Sequence, residues 1–275
     1  MFNRIIVGVD GSPASVNAAK IALRIGNFLD VPVVGVYVID TRLLEESFLA
    51  DLAGMLGLTY YEGASAKVRE FLEKQGDAVL TEFSALGREF GAKVSVVQTT
   101  GIPCREIADQ ADPEDLIVIG RIGEKPVKGT FPGATAERVA RISKCPVLLM
   151  PKEERSIREV LVAYDGSEGA EFALRICVTL RDLFGYRLNL IYVGAEAEEV
   201  KRKADRLVGG DYRFYTASGF PEEQIVSLVR EKDMDMLFMG AYGKSRFREF
   251  ILGSVTSFVI YNLEVPLFLA KRIRG

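Results

Sequence analysis

Across three glycines and a closing serine the chain reads Gly240-Ala-Tyr-Gly243-Lys244-Ser-Arg246-Phe-Arg248-Glu249-Phe-Ile-Leu-Gly253-Ser254. Three glycines let backbone N–H groups approach a ligand closely. Lys244, Arg246 and Arg248 set three cations against one anion, Glu249. The apolar run Met236–Gly240 before this stretch reads as a strand. Val255, Phe258, Val259 and Leu263 after it recur at helical spacing. A glycine-punctuated loop therefore lies between a strand and a helix N-terminus. Unpaired N–H donors and a partial positive charge there favour an anion. The chemistry this implies is phosphate binding, and nothing finer.

Two common phosphate loops do not fit. Gly243-Lys244-Ser245 resembles the end of a P-loop, but that motif needs glycine at 238, where Phe238 stands. The dinucleotide fingerprint needs glycine at 242, and Tyr242 stands there. The spacing is glycine, two residues, glycine, nine residues, glycine, serine.

The chain holds no histidine, which removes histidine triads, histidine metal ligands and the commonest general base. No paired carboxylates stand in for it, so no catalytic residue is assigned, and metal ligands stay undetermined. Cys104, Cys145 and Cys177 lie far apart and match no metal spacing. Cys104, just after Pro103, falls in a helix's first turn, where a thiol can be activated or can simply occupy a place suited to an anion. Apolar residues make up 48% of 275, enough for a packed core in one large or two ordinary domains. Net charge is −3 with no long basic run, so no nucleic-acid footprint is expected. No apolar run reaches membrane-spanning length. The start, Met1-Phe-Asn-Arg-Ile-Ile-Val, lacks a signal-peptide pattern, and a cytoplasmic location is expected.

The elements that must position the loop occur twice. Arg4-Ile-Ile-Val-Gly-Val-Asp10-Gly-Ser12 recurs as Glu159-Val-Leu-Val-Ala-Tyr-Asp165-Gly-Ser167. Gly101-Ile-Pro103 recurs as Gly219-Phe-Pro221, each before a short helix pattern. Asp115–Gly120 recurs as Asp235–Gly240, and Lys144-Cys-Pro146-Val-Leu-Leu-Met as Glu264-Val-Pro266-Leu-Phe-Leu-Ala. The first pair is offset by 155 residues and the last two by 120, so the first unit carries 35 extra residues. Two domains are expected, 1–151 and 157–275, joined by the charged stretch Lys152–Ser156.

Within the first unit, strands are expected near 4–9, 33–38 and 93–99, ending at Gly120, and at 146–150. Ser12 serves as N-cap and Pro13 as first helical residue of a helix to about Leu29. The extra segment, about 41–90, reads as an amphipathic helix over 41–58 and a second over 64–90. The first of these helices can be a lid, a partner surface, or packing against the neighbouring domain. In the second unit, strands are expected at 159–164, 188–193, 212–216, up to Gly240, and 265–270. Helices are expected at 168–183 and 196–208, after Pro221, and from Val255. The tail Lys271-Arg-Ile-Arg-Gly reads as a solvated end. Val/Ile-rich strands alternating with helices imply α/β architecture with parallel sheets.

The Asp-Gly-Ser after the first strand, the glycine loop with its nine-residue gap, and the closing helix before a Pro-led fifth strand together resemble the universal stress protein family. Both halves carry the resemblance, over nearly the whole chain. It implies two Rossmann-like domains, each a five-stranded parallel sheet flanked by helices, paired as an internal pseudo-dimer through antiparallel fifth strands. Val147–Met150 and Leu267–Ala270 are apolar edges that such pairing would cover. A further homodimer of whole chains stays open. The resemblance also implies a nucleotide-binding stress regulator with little or no catalysis, holding ATP, ADP or AMP, with Mg an open question. Carried over by motif, the second-half site comprises Ala163, Asp165, Val193, Gly240, Gly243, Lys244, Gly253, Ser254 and Val255. Ala163 and Val193 would border the adenine.

The corresponding first-half positions are Asp10, Gly120, Gly123, Gly133 and Thr135. There Ala134 replaces the serine, Thr135 comes one residue late, Pro126 and Pro132 remove two N–H groups, and Glu124 stands opposite Lys244. Each lost hydrogen bond to a charged group costs about 1.5–3 kcal/mol. One or two such losses would weaken binding about tenfold to several hundredfold. The second half is therefore expected to be the ATP site, and the first a weaker or different one. Two alternatives stay open. One is a weak ATPase or self-phosphorylating enzyme using Ser254 or Thr256. The other is a scaffold that binds no nucleotide. Asp10 and Asp165 can contact a nucleoside or merely shape a turn, Ser254 can meet phosphate or cap its helix, and Asp115 and Asp235 are expected to be structural.

Overall fold

A computed structural model describes residues 1–55, 64–121, 134–241 and 253–271. In chain order the first half is β1 (Ile5–Gly8), α1 (Pro13–Leu29), β2 (Val33–Asp40), α2 (Glu46–Met55), α3 (Ala64–Glu89), β3 (Val94–Gly101), α4 (Pro103–Asp109), β4 (Leu116–Gly120), α5 (Ala134–Ile142) and β5 (Val147–Met150). The second half is β6 (Glu159–Ala163), α6 (Glu168–Phe184), β7 (Arg187–Val193), α7 (Ala197–Val208), β8 (Arg213–Ala217), α8 (Pro221–Glu231), β9 (Met236–Gly240), α9 (Ser254–Asn262) and β10 (Leu267–Ala270).

The strands form one ten-stranded sheet, ordered β3-β2-β1-β4-β5-β10-β9-β6-β7-β8. All neighbours run parallel except β5 and β10, which pair antiparallel with Leu148 opposite Phe268. The expected pairing of two five-stranded sheets through their fifth strands is thus what the chain adopts. The inner strands β1, β5 and β10 are buried throughout and β4 as far as Ile119, as their unbroken apolar runs require. Helices α1, α3, α6 and α7 cover one face of the sheet, and α4, α5, α8 and α9 the other. Each apolar layer runs on across the β5–β10 seam, where Phe268 of β10 packs on Phe2 of the first half with ring centroids 6.4 Å apart.

Two readings need correction. Residues 41–58 do not form one helix. Asp40 accepts the Arg42 N–H at 3.0 Å and starts a short 3-10 turn, Thr41–Leu44. Glu45 is then extended, so α2 begins only at Glu46, and residues 56–58 lie outside the described ones. Its main neighbours are that turn and α3, in its own half and not in the other. The tail is also misread at its first residue. Lys271 is only 1% exposed, and its Nζ donates to the carbonyls of Arg141 at 3.1 Å and Ser143 at 3.0 Å, across the seam.

A second buried cation crosses the seam the other way. Arg121, also 1% exposed, donates through Nη1 to the Val265 carbonyl at 3.3 Å and through Nη2 to the Ile260 carbonyl. Each cation therefore meets carbonyls at or just beyond the C-terminus of the other half's last helix, where a helix presents negative partial charge. Burial pushes Arg121 down to about 10 and Lys271 down to about 8. Tyr261 on α9 adds a hydrogen bond from its hydroxyl to Glu137 on α5, at 2.7 Å.

Asp115 and Asp235 are structural, as expected. Asp115 accepts from Arg4 at 2.7 Å and from the Asp112 N–H at 2.9 Å. Asp235 instead accepts the N–H groups of Arg158 and Glu159 at 2.8 and 2.9 Å. The stretch 152–156 contains no helix or strand, and its N-terminal end is held by Asn17, whose Nδ2 donates to the carbonyls of Pro151 and Glu153.

Candidate nucleotide site

The described second-half residues gather at the C-terminal ends of β9, β6 and β7. β6 lies between β9 and β7 and its following helix leads towards β7, so the gap between β6 and β9 is the switch point where open α/β sheets take ligands. Ala163, Val193 and Gly240 are the last residues of β6, β7 and β9, and all three are half-buried.

After Ala163 the chain turns sharply. Gly166 takes φ +73°, a left-handed value that a side chain would strain. Asp165 Oδ1 accepts the Ser167 N–H at 2.9 Å, and Ser167 Oγ accepts the Ala170 N–H at 3.3 Å as the N-cap of α6. Asp10, Gly11 and Ser12 repeat this arrangement before α1, with Pro13 as first helical residue. The turn-forming role of both aspartates is therefore built into the fold, with one oxygen of each committed to it.

Gly240 also has a packing duty. A Cβ there would lie 3.2 Å from the Ala170 nitrogen and 3.3 Å from the Gly169 carbonyl carbon. At Gly120 it would lie 2.7 Å from the Ala14 carbonyl carbon and 2.8 Å from the Ser15 nitrogen. Both glycines let the first turn of a helix press onto the end of a strand. Gly169, which sequence reading passed over, completes the second-half contact.

The last helix closes the loop. The Ala241 carbonyl accepts the Gly253 N–H at 3.4 Å and the Thr256 hydroxyl at 3.1 Å. One carbonyl thus ties the loop's exit to its entrance. Gly253, not Ser254, is the N-cap of α9, and among the described residues no side chain caps that end. Ser254 is the exposed first helical residue, followed by half-buried Val255 and buried Thr256. Gly243 and Lys244 lie outside the described residues, as do Gly123 and Gly133. In the first half α5 begins at Ala134, Thr135 is half-buried, and buried Ala136 occupies the place of Thr256 with no hydroxyl to donate.

Other nucleophiles are shielded. Burial pushes Cys145 and Cys177 up to about 12, so both stay thiols at neutral pH, and Cys104 is buried on α4. Tyr164, next to Asp165, is likewise pushed up to about 12 by burial. Among the described residues no group of three or more Cys, Asp or Glu side chains could hold a metal ion.

The profile of the universal stress protein family matches residues 1–151 and 193–271. The chain belongs to the universal stress protein family. The universal stress protein Slr1230 of Synechocystis is 28% identical over 97% of this chain and 99% of its own. The universal stress protein MJ0531 of Methanocaldococcus jannaschii is 30% identical over 56% of this chain and 85% of its own. The crystal structure of a universal stress protein from Archaeoglobus fulgidus aligns with TM-score 0.74 at 24% identity, over 98% of this chain and 99% of that one, a likeness of fold. Among the described residues of this family member, no helix is long and apolar enough to cross a membrane.

Proposed function

We propose that this chain is an adenine-nucleotide-binding regulatory protein of the stress response, and that its second half holds the nucleotide. The observation that carries the reading is the N-terminus of α9, which no side chain caps among the described residues and where Ser254 is exposed. It faces the sheet's C-terminal edge, and the Ala241 carbonyl ties it to the end of β9. A helix start with open N–H groups suits phosphate. The Asp165 turn and the half-buried ends of β6 and β7 are in place for the nucleoside. In this reading Gly243 and Lys244 add loop contacts, the halves act as domains 1–151 and 157–275, and Asp10, Gly120, Gly123, Gly133 and Thr135 make at most a weaker site. The three free buried thiols are in keeping with a reducing cytoplasm.

A second reading, self-phosphorylation, is narrowed by one contact. The Thr256 hydroxyl is buried and engaged by the Ala241 carbonyl, which leaves Ser254 as the accessible hydroxyl of the pair. Calorimetric titration of the full chain with ATP, with and without Mg²⁺, tests the main reading. One site per chain is expected. Two sites of equal affinity would overturn the assignment to the second half, and no binding of ATP, ADP or AMP would overturn the reading itself. Rapid ADP release in the same samples would favour an enzyme.

A further inference from the structure

We propose that Phe220 is the base-stacking residue of the second-half site, the ring against which the heterocycle of the ligand lies. This rests on the adenine-nucleotide reading above and extends it to how the base is held. The starting point is the repeated Gly-X-Pro. In the first half X is Ile102, half-buried and packed against the apolar layer under α4 and α5. In the second half X is Phe220, which is 67% exposed. The same position is thus packed away in one half and left in solvent in the other, with a larger and flatter side chain.

Its place in the fold suits a base. The turn 218–220 leaves the C-terminal end of β8, the same end of the sheet as the Asp165 turn and Gly240, and Phe220 is the N-cap of α8. Helix α8 packs on the same face as α9. On that face Ala163, Val193 and Ala217 stand half-buried at the ends of β6, β7 and β8. Val193 is in register with Ala217, and the Gly194 N–H donates to the Ala217 carbonyl at 3.0 Å. Neighbouring strands lie about 4.8 Å apart, so this apolar row is about 10 Å long, enough for a bicyclic base lying across β7. The order along the sheet edge is then coherent: phosphate at α9 beside β9, sugar at the Asp165 turn on β6, and base over β7 with Phe220 at the far side. Stacking on an aromatic ring needs no particular hydrogen-bond pattern, so Phe220 confers affinity for a base as such.

The chain contains no tryptophan, so Phe220→Trp installs a single reporter. In the full-length protein, ATP is expected to change its emission saturably. Inorganic tripolyphosphate should leave it unchanged while competing with ATP. Phe220→Ala should weaken ATP about tenfold and leave tripolyphosphate affinity and the melting temperature where they were. Phe220→Ala that binds ATP as tightly as the parent, or that loses both ligands equally, would overturn the proposal while the nucleotide reading stands. A parent chain that binds tripolyphosphate as well as ATP refutes the base site alone. One that binds neither refutes both.

Discussion

The ends of β4 and β9 carry the same glycine and diverge at the next residue. After Gly240 comes Ala241, whose carbonyl gathers the Gly253 N–H and the Thr256 hydroxyl and so draws the start of α9 against the strand end. After Gly120 comes Arg121, whose guanidinium leaves its own half and binds the Ile260 and Val265 carbonyls in the other. The backbone bond at this point is nevertheless shared. Arg121 N–H donates to the Met150 carbonyl at 2.8 Å and Ala241 N–H to the Ala270 carbonyl at 2.9 Å. Two copies of one fold have thus been put to different uses. One strand end draws a helix start against itself, and the other fastens the two sheets together. The last strands show the converse split, with Lys271 reaching the first half and Pro151, at the equivalent place, unable to donate.

Four measurements would break or sharpen this contrast. The largest effect is expected at the two strand-end glycines. Gly120→Ala drives a Cβ to within 2.7 Å of backbone and should cost about 3 kcal/mol by chemical unfolding. Gly240→Ala meets its neighbour at 3.2 Å and should cost about 1 kcal/mol. Equal costs would show that the two helix contacts are equally tight.

Next comes the pH dependence of the seam. Folded Lys271 gives up its proton near pH 8, whereas the unfolded chain holds it to 10.5. Below pH 8 both states are protonated and the folded state carries the whole burial penalty. Above pH 8 the unfolded state binds the extra proton, so this group makes stability rise with pH until about 10.5. A gain on the order of 3 kcal/mol is expected, and Lys271→Met should abolish that rise. An unchanged slope in the variant would assign the rise to other groups.

Ser254→Glu places a negative charge at the open helix start and should weaken ATP about thirtyfold, or about 2 kcal/mol. Thr135→Glu, in the first half, should leave ATP affinity intact. Equal losses would place nucleotide in both halves. The smallest effect is expected from Thr256→Val, which removes one hydroxyl bond to Ala241 and should cost about 1 kcal/mol of stability.

Much of this architecture was legible from local pattern. Ser12 and Pro13 start α1 as cap and first residue because capping and a fixed φ are properties of those residues themselves. The strand runs ending at Gly120 and Gly240 are apolar enough to be central wherever they fold. The antiparallel β5–β10 seam was what the family resemblance implied, and the two apolar edges agreed with it. Helix α9 was harder. Serine is the commoner cap, yet Gly253 holds that place and Ser254 moves into the first turn, since the Ala241 carbonyl takes the Gly253 N–H.

By itself, then, the sequence determined the repeat, the strand and helix types, the turn chemistry at Asp10 and Asp165, and the family to which the chain belongs. All of these rest on residue type and short spacing. Only the tertiary structure decided that Gly120 and Gly240 make room for a helix, that Ala241 closes the second-half loop, and that Arg121 and Lys271 are buried. Arginine and lysine read as solvated on any local pattern. Their burial depends on carbonyls 128 to 144 residues away, brought to them when two sheets join at one antiparallel edge.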